Sequence, residues 1–531
     1  MSQNVVKPPV SAVSVGTAGR PTVALAVLAT AQFAVTLSTS IVNVALPSIR
    51  DGVGLSDTGL TWVVNAYGLA FGALLLLGGR AADLLGRRRV LLSGLALFAS
   101  AAVTAGFATT PGLLIAARAA QGVGAAAVAP ASLALVMGLF PAGPGRGRAL
   151  GVWGTVTGAG GAAGVILGGV LTQSWGWPWV FFTSALLALA VLAATVVLVP
   201  ALPAPHKRTG LDLPGAIAVT AGLIALVYGL GAAGRSGWGS AEVIGAVTLA
   251  AALLAAFVLA ERRHTAPLIP PRLFSSKSVV IANAVMAAVG SVWVGLFFFL
   301  PLYQQRVLGY EPLVTGLSQL PLAAANMIGS ALTPRLTRRI GPTPTLLVGL
   351  FALIVGFLWL AAISPHGTFA TDLLGPMIVL GVGLGISFVQ LTDAAVTGIR
   401  PEDGGLASGL VNTSRQIGGA VGLAVLGTLA ASRTATSGAD HIPSEALTDG
   451  YRTAFLVSAA LVVVATALAP VLARTRTNPS NPLRHRRASL PPATRLMNPR
   501  PRRSKVPITP SPSPTPQSRE RGSPRQALDD D

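Results

Sequence analysis

The sequence has no cysteine and unusually little charge. Only 11% of its 531 residues are charged and five are histidines, whereas soluble domains carry about 25% charged residues. The lack of cysteine excludes disulfides, thiolate nucleophiles and cysteine-bound metals. The G-x-x-x-x-G-K-[ST] loop of ATP-driven pumps does not occur, and no metal or other cofactor is predicted. An enzyme is also disfavoured, because paired carboxylates and histidines within apolar segments are missing.

Long apolar runs take the place of these groups. Hydrophobic residues make up 52% of the chain, and the mean hydropathy is +0.66. A membrane-crossing helix needs about 20 mostly apolar residues, which predicts an all-α membrane protein with fourteen spans. The first run is too long, and has too many successors, to be a cleaved signal peptide. The predicted spans are 22–46, 59–79, 90–108, 112–138, 149–171, 179–199, 213–233, 241–260, 279–303, 313–334, 344–363, 372–394, 405–430 and 453–473.

Lysine and arginine in the loops predict the orientation, because cytoplasmic loops carry the excess. With the N-terminus inside, inner loops hold sixteen basic residues and outer loops five. The inner set is Arg80, Arg87–Arg89, Arg146, Arg148, Lys207, Arg208, Arg262, Arg263, Arg272, Lys277, Arg335, Arg338, Arg339 and Arg400; the outer set is Arg50, Arg235, Arg306, Arg433 and Arg452. Both termini of a multi-pass cell-membrane protein are therefore predicted in the cytoplasm. Since the net charge of +20 comes mainly from these loops and a basic tail, no nucleic-acid partner is expected.

The chain also contains an internal repeat. The stretch GGRAADLLGRRRVLLSG (78–94) has a second copy in IGSALTPRLTRRIGPTPTLLVG (328–349), where Gly341 stands at the offset of Gly86. GGAAG (160–164) likewise matches GGAVG (418–422). The repeat predicts two six-span halves separated by two inserted spans. The expected units are an N-terminal segment 1–20, a first half 21–200, an insert 201–278, a second half 279–473 and a disordered Pro/Arg/Ser-rich tail 474–531.

Four stretches carry a family resemblance. GGRAADLLGRRRVLL resembles the loop signature of the major facilitator superfamily, and LLIAARAAQGVGAAAVAP (113–130) its fourth-span motif. GAGGAAGVILGGVL (158–171) is similar to the glycine-rich fifth-span motif of exporters, and SIVNVALPSI (40–49) to the first span of fourteen-span drug:proton antiporters. The resemblance covers roughly residues 20–473. It implies alternating access, with substrate bound near the membrane midplane between the halves.

The sequence departs from this family pattern at two positions. Ala162 follows Gly161 where the fifth-span motif usually reads Gly-Pro, and Ser38 stands where the first-span signature commonly has aspartate. A proton-coupled carrier needs a group whose protonation changes during the cycle, usually a desolvated carboxylate. Asp393 is the one acid that the sequence places deep in a span. Coupling must therefore use Asp83, Asp393 or a substrate that itself carries the proton.

Gating and coupling are predicted for charged and polar residues of the motifs. The resemblance implies a gating role for Asp83, Gly86, Arg87 and Arg88, in which the charged residues form ion pairs between the halves and release them. An equally weighted alternative for the arginines is that they only fix the orientation of the chain in the membrane. A charge in mid-membrane is costly, which makes Arg118, with Gln121, a functional candidate. The family resemblance implies that it faces the central cavity and acts in proton handling or helix coupling. A structural arginine bonded to carbonyls and Gln121 is the alternative.

The fifth-span glycines suit either close helix packing or a hinge between halves. They are Gly158, Gly160, Gly161, Gly164, Gly168 and Gly169. Polar and aromatic residues within spans are candidates for the substrate cavity, although any one of them can equally serve a helix–helix contact. This set is Gln32, Asn43, Trp62, Asn65, Tyr67, Asn283, Asn326, Gln390 and Arg415, the last near enough to the inner end to reach the headgroups.

The predicted function is export of a small amphipathic drug, antibiotic or secondary metabolite in exchange for protons. The expected partners are that molecule, protons and the lipid bilayer, without ATP. A metabolite importer or symporter is one alternative, against which the glycine-rich fifth span argues. A non-transporting sensor that signals through its basic tail is another.

Overall fold

The computed structural model describes residues 21–140, 143–201, 212–263, 267, 273–397, 399, 404–434 and 444–476. These residues form helices joined by short loops. The predictions for the N-terminal segment 1–20, for the tail beyond 476 and for several basic loop residues fall outside the described residues.

Among the described residues, the fourteen predicted spans correspond to fifteen α-helices. The first half consists of α1 Pro21–Val53, α2 Asp57–Leu85, α3 Arg87–Gly106, α4 Pro111–Leu139, α5 Pro144–Trp175 and α6 Pro178–Leu198. The inserted pair is α7 Leu213–Ser236 and α8 Ala241–Arg263. The second half consists of α9 Lys277–Arg306, α10 Pro312–Ser318, α11 Leu320–Ile340, α12 Pro342–Leu360, α13 Leu374–Val396, α14 Gly404–Thr434 and α15 Ser444–Arg476, with a π-helical turn Phe369–Leu373 leading into α13.

The tenth predicted span, 313–334, is not one continuous helix. Within the described residues thirteen helices are long and apolar enough to cross a membrane, and this span is not among them. It is divided between α10 and α11 at Gln319, which lies near the helical region with φ −85° and ψ −5°. Pro321, two residues after Gln319, lacks the amide that would bond to the carbonyl one turn earlier. A short helix therefore ends where an uninterrupted one was predicted.

The internal repeat is visible in the packing of the two halves. In the first half α1 packs on α5, α2 on α4, and α3 on α4 and α6. The second half repeats these pairs as α9 with α14, α11 with α13, and α12 with α13 and α15. The predicted fold class, two six-helix halves with two inserted helices, is confirmed.

The glycines at equal offsets in the two copies make the same turn. Gly86 ends α2 and begins α3 with φ 99°, and Gly341 ends α11 and begins α12 with φ 88°. Residues with a Cβ disfavour a backbone conformation with positive φ, whereas glycine adopts it freely. Glycine therefore lets the second helix of each half reverse directly into the third.

The inserted helices lie on the seam between α2 and α14. Leu223 and Val227 of α7 pack with Leu69 and Ala73 of α2 and with alanines of α14. Helix α8 packs chiefly on α7. Leucine, isoleucine and valine side chains are exposed on α8. They suit a surface that faces lipid, because the bilayer core has no water to solvate polar side chains.

Candidate transport pathway

The helix bundle has two chemically different ends. We call the end that carries Arg87–Arg89 and Arg338 the basic end, and the end that carries Trp177 and Glu311 the far end. Odd-numbered helices of the first half run from the basic end to the far end, and the even-numbered ones return. Contacts between the two halves differ sharply between these ends.

At the far end the halves are joined by polar contacts. Gln305 of α9 donates its side-chain N–H to the Val44 carbonyl of α1 at 2.8 Å. Gln173 of α5 donates to the Glu311 carboxylate at 2.6 Å and accepts from the Leu313 amide at 3.1 Å. Each bond crosses from one half to the other. Together they close the far end.

An ion-pair cluster adds to this closure. The Arg306 guanidinium of α9 lies 3.0 Å from an Asp57 carboxylate oxygen at the start of α2. The same oxygen lies 3.3 Å from Nε of Arg50 in the first half. Asp57 thus links the two halves, and its side chain is 41% exposed. Surface pairs of this kind contribute about 0–1 kcal/mol each, which suits a contact that must break and re-form.

Two glycines let the helix backbones meet at the far end. A Cβ on Gly169 of α5 would lie 2.6 Å from the Pro312 carbonyl oxygen of α10, and one on Gly316 would lie 2.6 Å from the Val165 carbonyl oxygen. Helices approach this closely only where a side chain is absent. The α5–α10 contact therefore depends on glycine at both positions.

Toward the basic end, α5 stands away from its neighbours. Gly151, Gly154 and Gly158 have no atom within 4 Å of the position that a Cβ would take. Residues on several faces of this stretch, from Gly151 to Thr155, are exposed. The halves are thus closed at the far end and separated beside α5 at the basic end.

The fifth-span glycines divide into three groups. A Cβ would lie 3.0 Å from the Phe33 carbonyl oxygen at Gly160, 2.9 Å from that of Leu37 at Gly164, and 2.5 Å from that of Ile41 at Gly168. These three face α1 within the same half and serve packing. Gly169 faces the other half, whereas Gly158 has open space and Gly161 has only the Ser40 hydroxyl, at 3.8 Å.

Arg118 lies in a closed polar network inside the first half. Arg118 is only 1% exposed, because α1, α2 and α4 enclose it. The resemblance implied a side chain that faces the central cavity, and in this conformation it does not. Nε donates to the Val63 carbonyl at 3.0 Å, and Nη1 donates to Gln121 Oε1 at 2.7 Å. The guanidinium lies 4.4 Å from the centre of the Tyr67 ring.

Ser38 completes the Arg118 network. Gln121 donates its side-chain N–H to the Ser38 hydroxyl at 2.9 Å, and Ser38 is fully buried. Tyr67 in turn donates to the Val35 carbonyl at 3.2 Å. The position that is commonly aspartate in the family therefore reaches the arginine through a neutral amide. A carboxylate does not balance the Arg118 charge among the described neighbours.

The turn at Gly86 and the helix ends that flank it, residues 80–89, hold the basic end of the first half together. Arg87 donates to the Ala134 carbonyl of α4 at 3.1 Å, and Arg88 to the Val196 carbonyl of α6 at 2.6 Å. Cations are favoured at these helix C-termini. Asp83 pairs with Arg87 at 3.4 Å within the same half. Its predicted partnership across the halves is not formed in this conformation.

Arg415 of α14 lies within the second half. Its guanidinium carbon is 4.9 Å from the Trp293 ring centre and 5.7 Å from that of Phe388, so it packs on aromatic rings. Nη2 donates to Asn412 at 2.8 Å. A cavity of about 150 Å³ opens beside it, and exposed Asn412 and Thr392 lie at its edge.

Most other cavity candidates of the second half serve helix contacts. Asn283 accepts from Ser414 at 2.8 Å and so joins α9 to α14. Gln390 donates to Thr337 and joins α13 to α11. Asn326 accepts a bond from a serine in its own helix.

The first-half candidates are buried between helices. Gln32, Asn43 and Asn65 are 8%, 7% and 2% exposed. Trp62 packs at the α2–α7–α14 seam, where the inserted helix α7 covers the line along which the two halves meet. Asp393, the predicted deep acid, is exposed near the basic end of α13.

Sequence reasoning missed the far-end residues. Asp57, Gln173, Gln305 and Glu311 join the halves, yet none belongs to a recognisable motif. Arg306 was assigned only to an outer loop. The rarity of charged residues in the outer loops was a usable signal, because each such residue is a candidate for a contact between helices.

Two repeated six-helix halves, closed on each other at one end and separated beside α5 at the other, define a multi-pass membrane transporter. The sequence profile of the Major Facilitator Superfamily matches residues 28–423. The chain belongs to this superfamily and is a transporter, not an enzyme.

The relatives and solved structures agree with this assignment. The chain is 42% identical over 456 residues to the cephamycin export protein of Amycolatopsis lactamdurans, covering 85% of this chain and 92% of that protein. It is 39% identical over 492 residues to the puromycin resistance protein of Streptomyces alboniger, covering 89% and 96%. A peptide transporter solved with sulfate shares the fold with a TM-score of 0.63 at 16% identity, covering 85% of this chain and 95% of that one. A bacterial homologue of the human lysosomal transporter Spinster, inward-facing and unoccupied, gives 0.61 at 17% identity, with 86% and 97% covered.

Proposed function

We propose that the protein exports a small amphipathic molecule, namely a drug, antibiotic or secondary metabolite, in exchange for protons by alternating access. The observation that carries this proposal is similarity over almost the whole chain to proteins named for antibiotic export and resistance. The importer and sensor alternatives have no such support.

The geometry supports the alternating-access part of the proposal. The halves meet through small residues and weak polar bonds at the far end, and these contacts can be broken at little cost. With the basic end in the cytoplasm of the cell membrane, as the loop charges predict, the structure is open to the inside. Substrate would enter from the cytoplasm or the inner leaflet, and both termini would be cytoplasmic.

Proton coupling is proposed to use a carboxylate near the basic end. Every aspartate and glutamate of the described residues lies in a loop or close to a helix end. Asp83 is half-exposed and paired with Arg87, and Asp393 is exposed at the end of α13. Either can exchange a proton with the inside when the basic end is open and be enclosed when that end closes.

Inside-out membrane vesicles with an acidic interior test this function. A panel that includes a cephamycin and puromycin is added, and proton release and labelled drug uptake are recorded together. We expect drug to accumulate and protons to leave the vesicle in response. Asp83→Asn or Asp393→Asn should remove most of the proton release, because the amide does not take up and release a proton as the carboxylate does.

Asp51→Asn is the matched control, since Asp51 is a 79% exposed acid at the far end. It should behave as wild type. Drug accumulation without any proton movement would refute exchange for protons. A failure of every panel member to accumulate would refute export of these drugs.

A further inference from the structure

We propose that Arg415 binds a carboxylate of the transported molecule, so that the substrates are amphipathic organic anions. This inference rests on the proposed function and names its substrate class. It starts from the imbalance of charge inside the membrane. Arg118 lies among helices of the first half and Arg415 among helices of the second, both away from the helix ends. The described acids, in contrast, lie in loops or near helix ends.

The two arginines differ in what they have left to bind. Arg118 is sealed at 1% exposure, with its guanidinium bonded to Val63 and Gln121. Arg415 bonds to Asn412 through Nη2 alone in the described structure, and its buried Nε has no hydrogen-bond partner there. Arginine carries five N–H donors in a planar fork. Burial shuts Nε off from the cavity, so the donors that remain available to a ligand are those of the terminal nitrogens.

The cavity beside Arg415 fits the head of an anion. It has a volume of about 150 Å³ and is lined by groups that include Ser408, Thr392 and Asn412. Since one water occupies about 30 Å³ of liquid, the space accommodates a carboxylate with a few carbon atoms. The Ser408 hydroxyl and the Asn412 amide can donate to the carboxylate oxygens together with the guanidinium, whereas the Thr392 hydroxyl donates to the Phe388 carbonyl at 2.8 Å. The remainder of an amphipathic molecule would extend between the halves.

The aromatic rings hold the guanidinium in place for this contact. Trp293 and Phe388 have ring centres 4.6 Å apart, and both lie against Arg415. A cation over an aromatic face is attracted to it, and arginine prefers bidentate binding of carboxylates. The rings that could bind a cationic drug are thus occupied by the protein's own cation. A cationic ligand would meet a fixed like charge here.

The open end of the protein favours the same substrates. The separated side of the bundle faces the basic end, where Arg87–Arg89 and the paired Arg338 and Arg339 are placed. A positive field at a cleft mouth raises the local concentration of anions. An anion entering from this end moves toward Arg415 without passing an uncompensated carboxylate inside the membrane.

Three fluorescent probes with one skeleton and different charges test the inference. N-dansylglycine is the anion, its methyl amide is neutral, and dansyl-ethylenediamine is the cation. Their dissociation constants are measured by fluorescence on the purified full-length protein in nanodiscs. We expect the wild type to bind the acid at least about tenfold more tightly than the amide, with the amine weakest.

Variants locate the anion site. Arg415→Gln should lower the affinity for the acid at least about tenfold and leave the amide within about twofold, while Arg415→Lys keeps part of the preference. Arg262→Gln, which removes an exposed arginine of α8, should match the wild type. If Arg415→Gln does not fold, wild type and Arg415→Lys still decide the order of the probes.

Several results would overturn the inference. They are equal binding of acid and amide, tightest binding of the amine, an acid preference that survives in Arg415→Gln, and a dissociation constant of the acid weaker than about 1 mM. The measurement needs no proton gradient. A failure of drug–proton exchange in vesicles would therefore refute the proposed function and leave this binding order unchanged.

Discussion

Arg118→Ala is expected to lower the transport rate per folded protein at least about 30-fold. The substitution leaves Gln121 Oε1 without its donor and removes the second hydrogen bond of the Val63 carbonyl. An orphaned buried acceptor costs about 1–3 kcal/mol. A difference of 1.4 kcal/mol changes an equilibrium constant tenfold. If the substitution destabilises one conformation of the cycle by about 2 kcal/mol more than the other, the population of that conformation falls about 30-fold. The measurement is labelled-drug uptake into vesicles, normalised to correctly folded protein.

Arg118→Lys separates charge from geometry. Lysine keeps the positive charge but presents a compact ammonium where the guanidinium fork reaches two acceptors at 3.0 and 2.7 Å. We expect an intermediate loss. Arg262→Ala on α8 controls for the loss of an exposed arginine. Wild-type rates in Arg118→Ala, with only the yield of folded protein reduced, would show that Arg118 is purely structural.

Gly169→Leu is expected to hold the far end open and to lower transport at least about tenfold. A Cβ at this position would lie 2.6 Å from the Pro312 carbonyl oxygen and 2.9 Å from the Leu313 Cα. These are backbone atoms that cannot rotate aside, and overpacking costs about 1–3 kcal/mol. The clash exists only while α5 and α10 meet, so the conformation with the far end closed should bear the cost.

The far-end opening can be read directly because the chain has no native cysteine. Val165 lies one helical turn before Gly169 on the same face and is 3% exposed. A Val165→Cys thiol should react with a maleimide much faster in the Gly169→Leu background. Gly245→Leu on α8 is the control, because a Cβ there has open space within 4 Å. Unchanged labelling together with unchanged transport would show that the α5–α10 contact does not govern the cycle.

The helices could be predicted from sequence because the physics that sets them is local. About 20 apolar residues define a span, and the repeated glycines at 86 and 341 mark equivalent turns in each half. The broken tenth span was missed. Its average composition resembles an apolar run, whereas the break depends on Pro321 and on how α10 packs against Gly169.

The site was harder to predict because its residues come together only through tertiary packing. Arg118, Gln121 and Ser38 stand in recognisable motifs, and the structure brings them into one network. Asp57 and Arg306 are far apart in sequence and belong to no motif, so only the fold shows that they meet. Trp62 was a reasonable candidate for the cavity, but the position of the inserted helix α7 decided its environment.

A cross-link across the far end is the most direct test of the central claim that this transporter works by alternating access. Cysteines replace Gln173 and Glu311, whose side chains meet at 2.6 Å between the halves. A short bifunctional methanethiosulfonate joins them, and dithiothreitol releases the link. The matched control places cysteines at Ser236 and Glu242, which also meet at 2.6 Å but lie within the inserted pair.

We predict that the link between positions 173 and 311 abolishes drug uptake into vesicles, and that dithiothreitol restores it. The link between 236 and 242 should leave uptake intact, because α7 and α8 need not separate during the cycle. Uptake at the unlinked rate by protein fully cross-linked between 173 and 311 would contradict the account, since the far end would then never need to open.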